Sequence, residues 1–403
     1  MSELSDIAKQ ALMQPQEAML ETRTRKDQLY IGIPKESSFQ ENRIALTPLS
    51  VALLVQNGHE VVLEAGAGSC ANFQDKDYSE QGARIVYDPR EVYKADLILK
   101  IAPPTDEEIG MMKSGQILFS ALQIATMKCE SLKAMMRKKV TALSFEYLRD
   151  EGGILTVVRA MSEIVGATSV LIAAEYLSNV FDGKGLMLGG ITGVPPTEIV
   201  ILGAGTVGEY AARTAISLGA EVKVFDSSIY RLRRLQNNIG SRVFTSVIQP
   251  IVLQKAIRSC DVVIGAVRSA NGRSPCLVTE ETVSRMKPNS VIIDVSIDQG
   301  GVFETSEVTN HKHPVFRKYD VIHYCVPNIA SRVSRTATYA LTNIFTPILV
   351  DIGEVGGFMN LIWERPGIRN AVYLYQGQLT NKHLSDRFNI QYKDLDLLIV
   401  SNR

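Results

Sequence analysis

Residues 198–208 of this 403-residue chain read EIVILGAGTVG, and this segment is the clearest indication of its fold. An apolar β run at 198–202 leads into Gly203, Gly205 and Gly208, and a helical pattern follows over 206–218. In a strand–turn–helix unit the first glycine makes the tight turn, the second lets a pyrophosphate approach, and the third lets the helix pack closely. The spacing therefore predicts a dinucleotide site at a helix N-terminus, lined also by Ala204, Thr206 and Val207. The alternative is a tight βα turn that binds no ligand.

The next predicted strand, 221–225, indicates which dinucleotide is favoured. It ends in Asp226, about 20 residues beyond the glycines, where a carboxylate accepts hydrogen bonds from ribose hydroxyls. This position favours NAD over NADP. Arg231 and Arg233 follow shortly afterwards and offer a 2′-phosphate partner, so NADP stays an alternative.

Outward from this unit, short β-rich runs alternate with helical stretches, which predicts mainly parallel sheets covered on both faces. We therefore predict an α/β protein of two doubly wound, Rossmann-like domains with a cleft between them and a boundary near residue 155. A helix is expected from Pro48 to about Gly58 with Thr47 as its N-cap, a long helical stretch at 155–181, and a helical then irregular tail from about Ser334. The predicted strands are 29–33, 60–64, 84–87, 96–100, 116–122, 140–145, 198–202, 221–225, 261–267, 290–297 and 320–326.

Polar residues follow several of these strands at their carboxyl ends, where ligands bind in open parallel sheets. They are Arg43, Lys100, Gln123, Glu146, Asp298 and Asn328. A lysine after a buried strand is suited to proton transfer or carbonyl polarisation, or else it is a surface residue that covers the strand end. An arginine can hold a carboxylate with two parallel bonds, although most arginines form solvated ion pairs. Asp298, before two glycines, is a candidate base or a turn-stabilising residue.

Composition excludes several other functions. Lysine plus arginine equals aspartate plus glutamate at 43 each, so no net positive field favours nucleic acid or an anionic membrane. We expect no membrane span, because no charge-free apolar run is long enough. The five dispersed cysteines are typical of reduced thiols in a cytoplasmic protein, and His311 and His313 lack further ligands for a metal. Residues 1–27 lack a signal-peptide core and form a predicted amphipathic helical extension.

Many segments together resemble one family, the alanine dehydrogenases and the related NAD-binding part of nicotinamide nucleotide transhydrogenase. The resemblance runs from about residue 29 to 395. The segments are IGIPKES at 31–37, ENRIALTP at 41–48, GHEVVLEAGAG at 58–68, DLILKI at 96–101, AMSEIVG at 160–166, VILGAGTVG at 200–208, VVIGAV at 262–267, IIDVSIDQGG at 292–301, HYCVPN at 323–328, TYALTN at 338–343 and YQGQLTNKHL at 375–384.

The resemblance implies a discontinuous substrate domain at 28–156 and 335–403, an NAD-binding domain at 157–334, and a homo-oligomer, either a hexamer or a dimer. It implies reversible oxidative deamination of L-alanine to pyruvate and ammonia. Arg43 and Lys100 resemble the residues that hold the substrate, and Asp298 resembles the catalytic aspartate, also near the nicotinamide. Cofactor contacts are implied at Ser162, the glycine loop, Asp226, Val267 and Asn328.

Two residues depart from the family pattern. Gln123 stands where alanine dehydrogenases have a catalytic histidine, and an amide forms hydrogen bonds but does not carry a proton at neutral pH. Arg159 adds a cation near the expected cleft. These departures leave two alternatives open: a related dehydrogenase or opine-type enzyme for another 2-oxo or amino acid, and an NAD(H)-binding module without substrate chemistry.

Overall fold

The computed structural model describes residues 28–38, 40–124, 126–269 and 272–401, so the predicted helix within 1–27 lies outside the described residues. The described chain forms two mainly parallel sheets with helices packed on them, which confirms the predicted α/β fold. In each sheet the strand order reverses between the first and fourth strands of that sheet along the chain. Such reversals open a crevice at the carboxyl ends of the strands.

The first sheet has eight strands in the order β3-β2-β1-β4-β5-β6-β14-β15. Strands β1 to β6 are parallel, and the last two are added in antiparallel fashion. The strands are β1 (Tyr30–Ile33), β2 (Glu60–Glu64), β3 (Arg84–Val86), β4 (Leu97–Leu99), β5 (Ile117–Ser120), β6 (Thr141–Ser144), β14 (Val372–Tyr375) and β15 (Gln378–Leu379).

The second sheet has seven strands in the order β12-β13-β11-β10-β7-β8-β9, and only β12 pairs in antiparallel fashion. Its core strands are buried along their whole length, as expected for a sheet covered on both faces. The strands are β7 (Glu198–Leu202), β8 (Glu221–Asp226), β9 (Phe244–Val247), β10 (Val262–Gly265), β11 (Val291–Asp294), β12 (Val315–Lys318) and β13 (Val321–Tyr324).

Helices cover both sheets. They are α1 (Pro48–Gln56), α2 (Asp75–Ser79), α3 (Pro89–Val92), α4 (Asp106–Met111), α5 (Cys129–Arg137), α6 (Thr156–Leu177), α7 (Thr206–Ser217), α8 (Ile229–Ile239), α9 (Pro250–Ser259), α10 (Glu280–Val283), α11 (Ser334–Glu354), α12 (Phe358–Glu364), α13 (Pro366–Arg369), α14 (Lys382–Phe388) and α15 (Leu395–Ser401). Thr47 occupies the N-cap position of α1, but its hydroxyl bonds the Ser50 side chain rather than a helix amide.

Two long helices connect the sheets. Helix α6 packs on the glycine-loop helix α7, where a Cβ on Gly166 would lie 2.4 Å from the Val207 carbonyl oxygen. By length and composition alone, α6 could cross a membrane, and so could Ile329–Glu354 with Phe358–Glu364 as a pair bent by 107°. In this fold α6 packs on the second sheet and α11 on the first, and 39% of the apolar window of α6 is buried.

Every predicted strand is confirmed to within a few residues, but β9, β12, β14 and β15 were not predicted. The prediction of an irregular tail was wrong, because β14 pairs with β6 and extends the first sheet. Only the family resemblance implied that the chain returns to the first domain after about residue 334. The predicted domain limits at 156/157 and 334/335 stay predictions.

Candidate active site

The glycine loop between β7 and α7 has the shape of a phosphate cradle. Gly203 has φ of +108°, and a Cβ there would lie 2.4 Å from the Ala266 carbonyl oxygen. A Cβ on Gly208 would lie 1.9 Å from the Gly203 oxygen, whereas one on Gly205 would meet nothing within 4 Å. Two glycines thus allow close packing, and Gly205 borders open space in front of a helix N-terminus that has no side-chain cap.

Asp226 lies at the end of β8 and is only 4% exposed. Its Oδ2 accepts a 2.7 Å bond from the Ala204 amide, and its Oδ1 accepts a 2.8 Å bond from the Ser228 amide. The Arg231 guanidinium is 3.9 Å from Oδ2, so the candidate phosphate ligand faces a carboxylate. The open loop and this carboxylate fit a dinucleotide with free ribose hydroxyls.

The other predicted cofactor residues surround the same edge. On α6, Ser162 donates a 2.7 Å bond to the Val158 carbonyl. After β10, the Val267 amide donates to the Ser296 hydroxyl at 3.0 Å. Asn328, after β13, has φ of +59° and points its side-chain amide toward the first sheet.

Arg43 lies in the loop after β1, held there by α11. The Ile44 amide donates to the Thr338 hydroxyl, and the Thr47 amide donates to the Thr342 hydroxyl, both at 3.1 Å. The Arg43 guanidinium binds Glu41 through Nε at 2.7 Å and Nη2 at 2.5 Å. Among the described residues, its Nη1 has one hydrogen-bond partner, the Met161 sulfur at 3.5 Å.

Glu41 joins the two sheets. Its Oε2 also accepts a 2.9 Å bond from the Asn328 side chain, so one carboxylate contacts a predicted substrate residue and a predicted cofactor residue. Burial opposes ionisation of Glu41, but the Arg43 charge and hydrogen bonds keep its pKa below the usual value. The carboxylate therefore stays charged and holds Arg43 in place.

Lys100 follows β4 and is 1% exposed, so the interpretation as a surface lysine was wrong. Its Nζ donates to Glu108 Oε2 at 2.7 Å and lies 3.9 Å from Glu36 Oε2. The Glu36 carboxylate also accepts hydrogen bonds from the amides of Ile101 and Ala102. Burial raises the pKa of Glu36 to about 7, although the Lys100 charge opposes this shift.

Gln123 follows β5 in a strained left-handed conformation, with φ of +46°. Its side chain is exposed, and its backbone N–H donates to Glu146 Oε2 at 2.9 Å. The same oxygen accepts from the Leu122 amide at 2.8 Å and from the Ser144 hydroxyl at 3.2 Å. Glu146, after β6, thereby fixes the loop that presents Gln123.

Asp298 lies in the 3-10 turn Val295–Gln299 after β11, with its carboxylate reachable by solvent. Desolvation by the surrounding protein raises the pKa of Asp298 to about 6. The charges of Asp294 and Glu146 add to this shift, and the charge of Arg43 opposes it. Within the described residues no donor hydrogen-bonds its carboxylate; the turn is stabilised by Asp294, which accepts from the Ser296 amide at 3.0 Å. Asp298 is thus not the turn-stabilising residue.

The structure brings Arg43, Asp298 and Glu146 within electrostatic range of one another, with Lys100 buried on the adjoining strand. Arg159 instead pairs with Glu163 on the surface of α6, at 3.2 Å. Sequence reasoning missed Glu36, Glu41 and Glu108, although the first two stand in family segments quoted above. Over the ranges that the structure covers, no group of three or more histidine, cysteine or acidic side chains is arranged to hold a metal.

Comparison with known proteins assigns most of the described chain to one family. A model described as "Alanine dehydrogenase/PNT, N-terminal domain" matches residues 32–165, and the corresponding C-terminal domain model matches residues 169–382. The alanine dehydrogenase of Mycolicibacterium smegmatis is 40% identical over 370 residues, 92% of this chain and 97% of that protein. The alanine dehydrogenase of Staphylococcus saprophyticus is 36% identical over 369 residues, 91% of this chain and 99% of that protein.

Solved structures agree. One titled L-alanine dehydrogenase superposes with a TM-score of 0.84 at 35% identity, covering 89% of this chain and 99% of that one. A transhydrogenase from Sinorhizobium meliloti superposes with a TM-score of 0.75 at 25% identity, covering 88% and 99%. This chain therefore belongs to the alanine dehydrogenase/PNT family.

Proposed function

We propose that this protein is an NAD-dependent dehydrogenase that reversibly converts L-alanine and water to pyruvate and ammonia. The observation that carries the proposal is the convergence of Arg43 and Asp298, one from each sheet, at edges that also present Lys100 and the glycine loop. The near full-length similarity to alanine dehydrogenases supports the choice of substrate. In this proposal residues 28–156 and 335–403 bind substrate, and residues 157–334 bind NAD.

Arg43 anchors the substrate carboxylate. Its Nε donates to Glu41, whereas among the described residues Nη1 has only a weak sulfur contact, so Nη1 can donate to a carboxylate. The Glu41 pair restricts rotation of the guanidinium, so the donor is held in a fixed orientation before substrate arrives. The substrate carboxylate thus defines where Cα and the amino group lie.

Lys100 and Asp298 act on the reacting carbon. Lys100 carries three N–H donors, of which Glu108 accepts one at 2.7 Å, so another can polarise the carbonyl or imine. Asp298, ionised above pH 6, takes a proton from the water that attacks the imine. When bound, NAD supplies the hydride acceptor, and the protein supplies orientation and electrostatics. Gln123 orients the substrate through hydrogen bonds.

We also propose NAD rather than NADP, and a homo-oligomer. Asp226 stands where a 2′-phosphate would meet a buried negative charge, and Arg231 is already turned to that carboxylate. Self-association is supported by large apolar side chains exposed on the second domain, among them Val180, Met187 and Ile191. Singly exposed apolar residues are ordinary, but neighbouring ones along 180–194 are typical of an interface.

The test follows NADH absorbance with purified protein supplied with pyruvate and ammonium, beside a panel of larger and more acidic 2-oxo acids and with NADPH in a parallel series. We expect NADH oxidation that needs both pyruvate and ammonium, and a rate at least tenfold lower with NADPH. Turnover of another 2-oxo acid in preference to pyruvate would change the substrate assignment. NADH binding without turnover of any acid would contradict an enzymatic role.

A further inference from the structure

Glu146 is a further acidic residue at this site, beside the residues that the proposed reaction uses. Its Oε2 accepts from the amides of Leu122 and Gln123 and from the Ser144 hydroxyl. Its Oε1 accepts no hydrogen bond from any described residue, and the side chain is only partly buried. One carboxylate oxygen thus fixes the loop while the other remains available to a ligand.

The fold places Glu146 at the same sheet edge as the predicted substrate residues: it follows β6, which pairs with β5, and β5 pairs with β4, the strand that Lys100 follows. The charge of Glu146 also raises the pKa of both Arg43 and Asp298. Its charge also raises the pKa of Tyr147 and of Tyr373, whose buried hydroxyl has no hydrogen-bond partner among the described residues. An amino acid anchored on Arg43 with Cα near Asp298 therefore carries its positive ammonium group next to a negative carboxylate.

We propose that Glu146 Oε1 binds the substrate ammonium group and takes a proton from it. This inference rests on the proposed function. In the deamination direction an N–H bond of the ammonium breaks and an O–H bond forms on Glu146, which leaves a neutral amine. The nitrogen lone pair is then available to form the C=N bond when Cα loses its hydride, which NAD would accept when bound.

The remaining protons balance without another reagent. Water adds to the imine carbon and loses a proton to Asp298, giving a carbinolamine. Collapse of that adduct breaks the C–N bond, and the hydroxyl proton leaves to solvent. The departing nitrogen takes back the proton held by Glu146 and leaves as ammonia, and Asp298 releases the proton it took from water to solvent. A second proton carrier is needed because Asp298 is occupied with water and the Gln123 amide does not ionise. Glu146 thus accepts the proton of the ammonium group, and Asp298 accepts the proton of the attacking water.

Two matched variants test this assignment. Glu146→Gln keeps an oxygen that can accept from the Leu122 and Gln123 amides but replaces the proton acceptor by an amide. We expect kcat for alanine to fall by about 10²-fold or more. The dissociation constant of NADH without substrate should stay within about twofold, since the loop is still held. Glu151→Gln, at an exposed glutamate five residues along, is the control and should match the parent.

A further variant at Glu146 separates loss of the chemical step from loss of folding. Glu146→Ala opens space for a small carboxylate, and added formate should restore at least a tenfold gain in kcat that the parent and Glu151→Gln do not show. If Glu146→Gln turns over alanine within threefold of an active parent, the assignment is wrong and Glu146 only positions the loop. If the parent itself forms no NADH from alanine, the proposed function fails, and this inference fails with it.

Discussion

The two sheets share a strand order, but the chemical groups at the carboxyl ends of their strands differ. The second sheet offers backbone: Gly203 and Gly208 pack closely, and open space adjoins Gly205. The first sheet offers buried charge, with Lys100 between Glu36 and Glu108, and Arg43 paired with Glu41. One edge therefore fits phosphates by shape, and the other fits a small polar substrate by fixed charges.

Because of this difference, substitutions at the two edges have different effects on stability and on ligand binding. A buried ion pair is costly to desolvate, and removal of one partner leaves an uncompensated charge that destabilises the whole fold. A glycine loop holds no such charge, so a change there acts through sterics and through contact with the ligand. Asp226 and Asp298 are exceptions, because they are acidic side chains that the second sheet contributes.

The largest effect is expected at Asp298. Asp298→Asn removes the group that activates water, so the rate of alanine deamination should fall by about 10³-fold. In the parent, kcat/KM should fall about tenfold per pH unit below pH 6, because the pKa of Asp298 is raised to about 6 and the base becomes protonated. Steady-state rates between pH 5 and 9 measure both effects; a profile flat down to pH 5 would contradict the role.

The same substitution should raise stability, which follows from the sign of the shift. The pKa of Asp298 is higher when folded than the usual value of about 3.9. Between these two pH values the folded state holds more protons than the unfolded state, so stability falls as pH rises, and the loss is complete above pH 6. Asp298→Asn should therefore melt at a higher temperature than the parent at pH 8 and show less difference at pH 4. Scanning calorimetry at the two pH values checks this.

At the edge of the first sheet, Lys100→Met should damage activity and folding together. The substitution leaves Glu108 and Glu36 buried without their cation, which typically costs about 3 kcal/mol of unfolding free energy. The deamination rate should drop by about 10²–10³-fold, since an electrostatic contact to the carbonyl is lost. Urea denaturation and NADH formation are the measurements.

The control for Lys100 is Lys94→Met. Lys94 pairs with Glu91 on the surface and its side chain is 63% exposed. Surface ion pairs contribute little, so stability should change by less than about 1 kcal/mol and activity should be retained. Equal losses in both lysine variants would show that burial at the first sheet's edge does not distinguish Lys100.

The contrast between the edges also explains what the sequence could predict. The cofactor edge follows from local patterns: Gly203, Gly205 and Gly208 stand within six residues, and Asp226 ends the next strand. Arg43, Lys100 and Asp298 were likewise predicted as site residues from their positions after strands. These features depend on neighbours in the chain, and periodicity reveals them.

The substrate edge depends on contacts that no local pattern encodes. Glu36 reaches Lys100 from another strand end, and Glu41 meets Asn328 across 287 residues of chain. Strand β14 was missed for the same reason: its partner β6 lies more than 200 residues earlier, and the short run VYLY fits a helix as well as a strand. Strands β9 and β12 are edge strands that are only partly buried, which weakens the apolar alternation.

The smallest effect, and the sharpest comparison within one edge, is expected from two alanine substitutions in the glycine loop. Gly208→Ala places a methyl group 1.9 Å from the Gly203 oxygen, so backbone must shift, and we expect a loss of about 2 kcal/mol in stability along with weaker NADH binding. Gly205→Ala meets nothing within 4 Å and has φ of −76°, which alanine adopts freely, so its melting temperature should equal that of the parent. Its NADH affinity should nevertheless fall about tenfold, or about 1.4 kcal/mol, because the methyl group occupies the space that the pyrophosphate needs. Fluorescence titration with NADH and thermal melts of the two variants measure both quantities. Unchanged affinity in Gly205→Ala would mean that the open side of the loop does not face the phosphates, and the shape-based account of this edge would fail.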